Sequence, residues 1–385
     1  MKIRRSKTIL FMLALAVASF GLLNRTGTRA QKPKDESRST TTWSHSDDGL
    51  KMRVEIRGKA EFTEEYTDIR DVSEGGFVRI EEDRDGQSRR YEVRRYANGE
   101  LQRTYYVNGN ARPLDVEARN WLAKTVLNAV RQSGIDANKR VQTILSQRGV
   151  SGVLDEIGMI SGDYAKGIYF KALIKNGNLS IAALQNVLRA AARQISSDYE
   201  QAQLLIGVAA DLTGKEAALP AFFEATATIK SDYELKRVLT ALLKDTTPSR
   251  EVLIQIAKTA GGMSSDYEKA NVLKSVAARF LDDRELRTAF FQTVATIKSD
   301  YEHRGVLSAL LKNSKLNEEV LSGLLNSASH MSSDYEKATF LIEASAVFAG
   351  DARAKDGFLK AVETIKSDYE RGRVLSALVK NKQIG

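Results

Sequence analysis

Seven Asp-Tyr pairs recur along the C-terminal two-thirds of this chain, with their aspartates at Asp163, Asp198, Asp232, Asp266, Asp300, Asp334 and Asp368. The first interval is 35 residues and the following five are each 34. A fixed period of this length constrains the fold more than any other feature. One unit is too small to bury a core alone, so successive units must stack into a solenoid. A longer period lies over the first. "FFEATATIKSDYELKRVLTALLK", "FFQTVATIKSDYEHRGVLSALLK" and "FLKAVETIKSDYERGRVLSALVK" start at Phe222, Phe290 and Phe358, 68 residues apart, with "SSDYEKA" units between them at Ser264 and Ser332 and the variant "SSDYEQA" at Ser196. The array is built from a duplicated two-unit block.

Each unit resolves into two helices. Leu235, Val238, Leu239 and Leu242 stand at i, i+3, i+4 and i+7, one face of a helix, and Phe222, Ala225, Ala227 and Ile229 form the apolar stretch before the motif. The motif therefore marks the break between a helix A and a helix B. With Ser231 as N-cap, Asp232, Tyr233 and Glu234 are N1, N2 and N3, and Ser followed three places later by Glu is a capping box. The serine hydroxyl accepts the N3 N–H, the glutamate returns to the N-cap N–H, and both acids complement the helix dipole. Such a cap is worth about 0.5–2 kcal/mol. Ser197, Ser265, Ser299, Ser333 and Ser367 read the same way, whereas the first unit, "SGDYA", has Gly162 and Ala165 in place of Ser and Glu, as a terminal repeat would.

A capping box does not need tyrosine. Its recurrence predicts a ring packed between adjacent units with the hydroxyl at the surface. The functional alternative is an edge made of Tyr199, Tyr233, Tyr267, Tyr301, Tyr335 and Tyr369 that an extended partner contacts. Lys230, Lys298 and Lys366, which precede alternate motifs, extend that candidate edge toward anionic partners, although Lys244, Lys312 and Lys380 near the ends of the B helices are accounted for by the dipole alone.

The 34-residue helix-pair period with "SSDYEKA" and "SGDYAKGIYFKAL" resembles tetratricopeptide repeats, in which a Gly-Asp-Tyr-Glu-Lys-Ala segment opens helix B; HEAT-like repeats are the other resemblance. The leader, strand region and SDYE units together also resemble the extracytoplasmic repeat regions of bacterial membrane metallopeptidases of the beta-lactam-sensor type. The zinc signature His-Glu-x-x-His of those peptidases is absent, so the resemblance implies a sensor or regulatory role and no peptidase activity.

Upstream of the array the pattern changes twice. Lys2, Arg4, Arg5 and Lys7 precede a 17-residue uncharged run, "TILFMLALAVASFGLLN", which reads as an export signal cleaved after Ala18 or Ala30, with a retained N-terminal anchor as the alternative. Residues 31–48 have a linker composition. From Gly49 to about Arg112, alternating runs such as "KMRVEIRGKAEFT" are separated by "DRDG" and two Asn-Gly pairs, which predicts an antiparallel meander of about five strands. Asp115 then caps a helix whose stripe of Val116, Trp121, Leu122, Val126, Leu127 and Val130 is expected to pack on the sheet.

The predicted fold is α+β. Residues 1–30 are a signal or anchor, 31–48 a linker, 49–135 a small antiparallel β-meander domain with a C-terminal helix, and 136–385 an α-solenoid of about seven 34-residue helix pairs. The net charge of +9 does not argue for nucleic acid, because nine Lys and Arg against two acids in residues 1–40 leave only +2 for the rest. With no cysteine, stability rests on packing without disulfides. His45, His303 and His330 show no metal spacing, and the His303 position, Leu235 and Arg371 in sister units, reads as a solvated helix face. No nucleophile elbow, phosphate loop or dinucleotide fingerprint is present. The expectation is a non-catalytic scaffold of the cell envelope, without cofactor or metal, that binds a protein or peptide. The alternative is a sensor or regulatory component of a membrane signalling or proteolytic system.

Overall fold

A computed structural model describes residues 39–384, apart from 48, 213, 245–247, 280–282, 313–315 and 349–351. The leader and residues 31–38 lie outside the described residues. Among the described residues eight strands come first: β1 (Thr40–Asp47), β2 (Leu50–Arg57), β3 (Ala60–Phe62), β4 (Ile69–Val72), β5 (Phe77–Arg84), β6 (Gln87–Arg95), β7 (Leu101–Val107) and β8 (Asn110–Arg112). They form a six-stranded antiparallel sheet in the order β1-β2-β5-β6-β7-β8 and a two-stranded ribbon, β3-β4.

Two points differ from the sequence expectation. The span read as a linker contains β1, which pairs residue for residue with β2 from Thr40↔Arg57 to Asp47↔Leu50. Its "TTTWSHSD" is polar, as suits an edge strand that gains mainly from ladder hydrogen bonds. The meander also has more strands than five, because "KMRVEIRGKAEFT" divides at Gly58, which has φ +80°, into β2 and β3. The turn signals behave as their chemistry requires. Asp85 and Gly86, and Asn108 and Gly109, all take positive φ in two-residue hairpins that match the strand twist.

Alternation along the strands leaves one sheet face apolar. Met52, Val54, Ile56, Val78, Ile80, Tyr91 and Val93 are buried there beneath Trp121, Leu122, Val126 and Val130 of α1 (Val116–Ser133). Asp115 caps α1 by accepting the Ala118 N–H at 2.9 Å. Trp121 is core, with its Nε1 donating to Glu82 Oε1 at 3.1 Å. Val116, by contrast, is exposed at the start of the helix rather than part of the buried stripe.

Among the described residues fourteen further α-helices follow as seven A/B pairs: α2 (Ala137–Gly158) with α3 (Asp163–Asn176), α4 (Ile181–Gln194) with α5 (Asp198–Ala209), α6 (Leu219–Thr226) with α7 (Asp232–Lys244), α8 (Arg250–Gly261) with α9 (Asp266–Ala277), α10 (Arg284–Val294) with α11 (Asp300–Leu311), α12 (Glu318–Ser329) with α13 (Asp334–Phe348), and α14 (Ala352–Glu363) with α15 (Asp368–Ile384). Every B helix packs on the next B helix. The A helices pack most closely in twos, α4 on α6, α8 on α10 and α12 on α14, with slighter contact between α10 and α12. The 68-residue sequence period thus has a structural counterpart. Its three phenylalanines, Phe222, Phe290 and Phe358, are each buried in one continuous apolar core.

A buried polar seam joins the sheet domain to the first pair. Glu156 accepts from Arg131 Nε at 2.8 Å and from Arg140 Nη2 at 2.7 Å, and Tyr66 Oη donates to Asp136 Oδ2 at 3.0 Å. Burial raises the Glu156 pKa, but the two guanidinium groups outweigh it and hold the carboxyl below its usual range.

Candidate functional site

Each residue of the repeated motif has a separate job, and the jobs divide between architecture and surface. Serine caps its own helix. The Glu200, Glu234, Glu268, Glu302, Glu336 and Glu370 N–H groups donate to the hydroxyl three residues earlier at 3.3–3.4 Å. This half of the capping box forms at the long end of hydrogen-bond geometry.

The reciprocal half is replaced. The serine N–H that glutamate was expected to satisfy donates instead to the aspartate of the preceding unit. Asp163 Oδ2 accepts from Ser196 and Ser197 at 2.9 and 2.7 Å, and Asp198 Oδ2 from Lys230 and Ser231 at 3.2 and 2.8 Å. Asp232 holds Ser264 and Ser265 at 2.9 and 2.7 Å, and Asp266 holds Lys298 and Ser299 at 3.0 and 2.8 Å. Asp300 and Asp334 repeat the arrangement on Ser332–Ser333 and Lys366–Ser367. One carboxylate oxygen therefore clamps two consecutive N–H groups at the entry of the next B helix. With both N–H groups engaged, the glutamates turn to cations: Glu268 to Lys236 of the unit before at 3.0 Å, Glu302 to Lys274 at 3.1 Å, Glu336 to Arg304, and Glu234 to Arg237 of its own helix at 2.6 Å.

The residue after glutamate forms a second link between units. At this position Lys166 Nζ donates to Gln194 O at 2.8 Å, Gln201 Nε2 to Ala225 O at 3.0 Å, Lys269 Nζ to Thr296 Oγ1 at 2.9 Å and Lys337 Nζ to Thr364 O at 3.1 Å. His303 Nε2 lies 2.8 Å from Ser327 Oγ. All five reach the C-terminal end of the next A helix, where carbonyls lack intrahelical partners and a cation is favoured. The expectation that His303 lies on a solvated face is therefore wrong. His303 is 5% exposed, and Lys269 and Lys337 are 4% exposed. The site accepts different side chains because most of them can donate to a helix end, and Leu235 fills the same place without a donor.

Tyrosine alone is left over. Tyr199, Tyr233, Tyr267, Tyr301, Tyr335 and Tyr369 are 54–74% exposed, so the rings do not pack between units as the sequence suggested. At N2 the side chain projects from the first turn, and the interface between B helices is already filled by residues such as Val238, Leu239, Leu273 and Leu307. The ring faces are partly flanked by cations: Lys236 lies 4.6 Å from the Tyr233 centroid, Arg304 5.4 Å from Tyr301, and Arg237 and Arg373 5.8 and 5.7 Å from Tyr199 and Tyr335 in the preceding units. These four cations are each paired with a glutamate, so the row of rings is close to neutral locally. Lys230, Lys298 and Lys366 are exposed at the A–B break beside the motif.

Sequence reasoning located the tyrosines but missed both links between units. One signal was present. Asp163 and Tyr164 persist in the first unit although its Ser and Glu positions hold Gly162 and Ala165, so the aspartate serves something other than its own cap. No group of three or more His, Asp or Glu among the described residues is arranged to hold a metal ion. No protein-family model, no curated protein and no solved structure matches this chain.

Two outcomes follow from this geometry. The short, charge-assisted aspartate clamp should outweigh the long serine cap. Asp300→Ala is expected to cost about 2–4 kcal/mol, Ser299→Ala about 1 kcal/mol, and Asp368→Ala, whose side chain is 90% exposed and clamps no unit among the described residues, close to nothing. Urea unfolding of the three variants ranks them, and an Asp300→Ala loss no larger than that of Asp368→Ala would contradict the clamp.

The second outcome concerns pH. Burial lowers the His303 pKa, opposed by nearby Asp300 and reinforced by His330. The neutral ring is therefore favoured on folding. Its contribution is complete above the unfolded-state value of about 6.5 and is lost as pH falls toward the lower folded value. His303→Gln, which copies Gln201, should remove this component. The stability difference between wild type and variant is expected to shift between pH 7.5 and pH 5, with wild type losing more, and parallel profiles would refute the assignment.

Proposed function

We propose that this chain is a non-catalytic repeat protein whose row of exposed tyrosines binds a protein or peptide partner. The observation that carries the reading is the division of labour within the motif. Ser, Asp and Glu, together with the residue after Glu, are used within or between units, while the six tyrosines recur in register and remain exposed. Beyond the flanking cations, these largely exposed rings have no packing partner that accounts for tyrosine at every one of these positions, and exposed tyrosines recurring in register suit an interaction site. Lys230, Lys298 and Lys366 supply charge along the same edge in alternate units.

The finer assignments belong to the same proposal. The helix pairs are read as TPR-like or HEAT-like units, and the basic, uncharged and polar segments of residues 1–48 support export to the cell envelope. Within the envelope the chain is placed as a scaffold. Its likeness to the repeat regions of sensor-type peptidases makes a sensor or regulatory subunit the second reading.

Site-specific photocrosslinking from inside the chain tests the edge directly. A benzophenone side chain at Tyr267 or Tyr301 should trap a discrete partner, and one at Gln292, exposed on helix A, should not. Equal trapping from all three positions, or none from the tyrosine positions in intact cells, would remove the edge as the binding surface.

A further inference from the structure

Six junctions join the seven described helix pairs, and the link from a B helix to the end of the next A helix has two halves. One half is the donor that follows glutamate. The other is a threonine at the end of the A helix. Thr228, Thr296 and Thr364 each donate their hydroxyl to the carbonyl three residues earlier, at 2.7–2.8 Å, which closes the helix end. The donor then arrives from the preceding unit: Gln201 Nε2 to Thr228 Oγ1, Lys269 Nζ to Thr296 Oγ1 at 2.9 Å, and Lys337 Nζ to Thr364 O at 3.1 Å.

At the third junction, between the α6–α7 pair and the α8–α9 pair, both halves are missing together. Leu235 stands in the place of Gln201, Lys269 and Lys337, and Gly262 in the place of Thr228, Thr296 and Thr364. The backbone does not require that glycine. Its φ is −78°, and a Cβ there would meet only the Thr259 carbonyl at 3.5 Å, an ordinary contact. Gly261 beside it also lacks a positive φ, and its Cβ would meet Thr293 at 3.5 Å. The glycine pair thus adds backbone freedom that the fold itself does not need. The other two junctions without threonine keep a polar link, Lys166 to Gln194 O in the first and His303 to Ser327 in the fifth.

The A layer shows the same gap. Arg189 joins α4 to Glu224 of α6 at 2.7 Å. Arg250 of α8 reaches Asp283 at the start of α10 at 2.7 Å, and Thr293 Oγ1 of α10 donates to Ala257 O of α8 at 2.9 Å. Arg287 pairs α10 with Glu319 of α12. Between them, α6 and α8 scarcely touch, and among the described residues no hydrogen bond or ion pair joins these two helices. The polar contacts across this junction run through the B helices: the Asp232 clamp on Ser264 and Ser265, Lys236 to Glu268 at 3.0 Å, and Arg279 to the Leu243 carbonyl. One layer is pinned by directional bonds, while the other has only apolar contact, which is non-directional. A pinned edge opposite a free one is a hinge.

We propose that the array bends at this junction, with the Asp232 clamp as the axis, α6 parting from α8, and helices α2–α7 and α8–α15 moving as two bodies. With packed helices about 8–10 Å apart, a rotation of about 15°, ordinary for such bodies, moves one A layer against the other by about 2–3 Å. Tyr233 and Tyr267 stand in the first turns of α7 and α9, beside the axis, so their spacing is kept while the curvature of the array changes. The hinge holds whether or not that row binds a partner.

The chain has no cysteine, so introduced pairs can carry spin labels on the full-length protein. Asn186 and Gln292, exposed on α4 and α10, span three A-helix intervals that include the third junction; Lys258 and Lys360, exposed on α8 and α14, span three that do not. Double electron–electron resonance should give a distance distribution about 2–3 Å broader for the first pair than for the second. Leu235→Lys with Gly262→Thr installs the link of Lys269 and Thr296, and Leu235→Gln with Gly262→Thr that of Gln201 and Thr228. Either double variant should narrow the first distribution to the width of the second. A wild-type first pair no broader than the second overturns the proposal, as does breadth that persists in both double variants when their circular dichroism spectra match wild type.

Discussion

One carboxylate oxygen accepting two neighbouring N–H groups across a repeat boundary is the interaction on which the array depends. Stacked helix pairs bury apolar surface, but apolar contact is non-directional and tolerates sliding by a turn. The aspartate clamp does not tolerate it. The clamp fixes where each B helix begins relative to the one before, from Asp163 on Ser197 to Asp334 on Ser367. It also disposes of two N–H groups that a helix entry would otherwise leave to solvent. Asp334 shows the electrostatic consequence. Burial raises its pKa, but donation from the Ser367 and Lys366 N–H groups outweighs this and the carboxyl sits below its usual value. Its stabilising effect is accordingly present above the unfolded aspartate pKa and lost as pH falls through the lower folded value.

The first and last described pairs reflect the same rule. At the start, no preceding motif can supply an aspartate, and Gln132 of α1 takes its place. Its Oε1 accepts the Ser161 N–H at 2.9 Å while its Nε2 donates to Met159 O at 3.0 Å. The helix that covers the sheet therefore also closes the first repeat, and the Arg131–Glu156–Arg140 seam lies beside it. In the last described pair, Asp368 turns to Arg371 of its own helix. The same residue type that is clamped and partly buried six times is almost fully exposed here, so the surroundings decide its role.

Period and helix phase were legible because they depend on residues acting within one helix. The 34-residue spacing, the Leu235–Leu242 stripe and the Ser-to-Glu offset describe local geometry, and each corresponds to an observed helix or cap. What stayed hidden depends on atoms 24 to 34 residues away. The aspartate bonds across 32 to 34 positions, and the residue after glutamate reaches 24 to 28 positions onward. His303 was misread for this reason. Variation among Lys, Gln, His and Leu resembles a solvated face unless the helix end it serves is in view. β1 was misread because an edge strand needs little apolar patterning once a partner such as β2 is beside it. The tyrosine row is the converse case. Its positions were plain in the sequence, but its exposure became visible only when Ser, Asp and Glu were all seen to be occupied.

Amide hydrogen exchange in the array distinguishes the clamp from an ordinary cap most directly. In Asp266→Ala the Lys298 and Ser299 N–H groups should lose protection while the Glu302 N–H keeps its serine partner. In Ser299→Ala the Glu302 N–H should exchange faster while Lys298 and Ser299 remain protected. That crossed pattern is the expected result, and unchanged protection of Lys298 and Ser299 in Asp266→Ala would contradict the account.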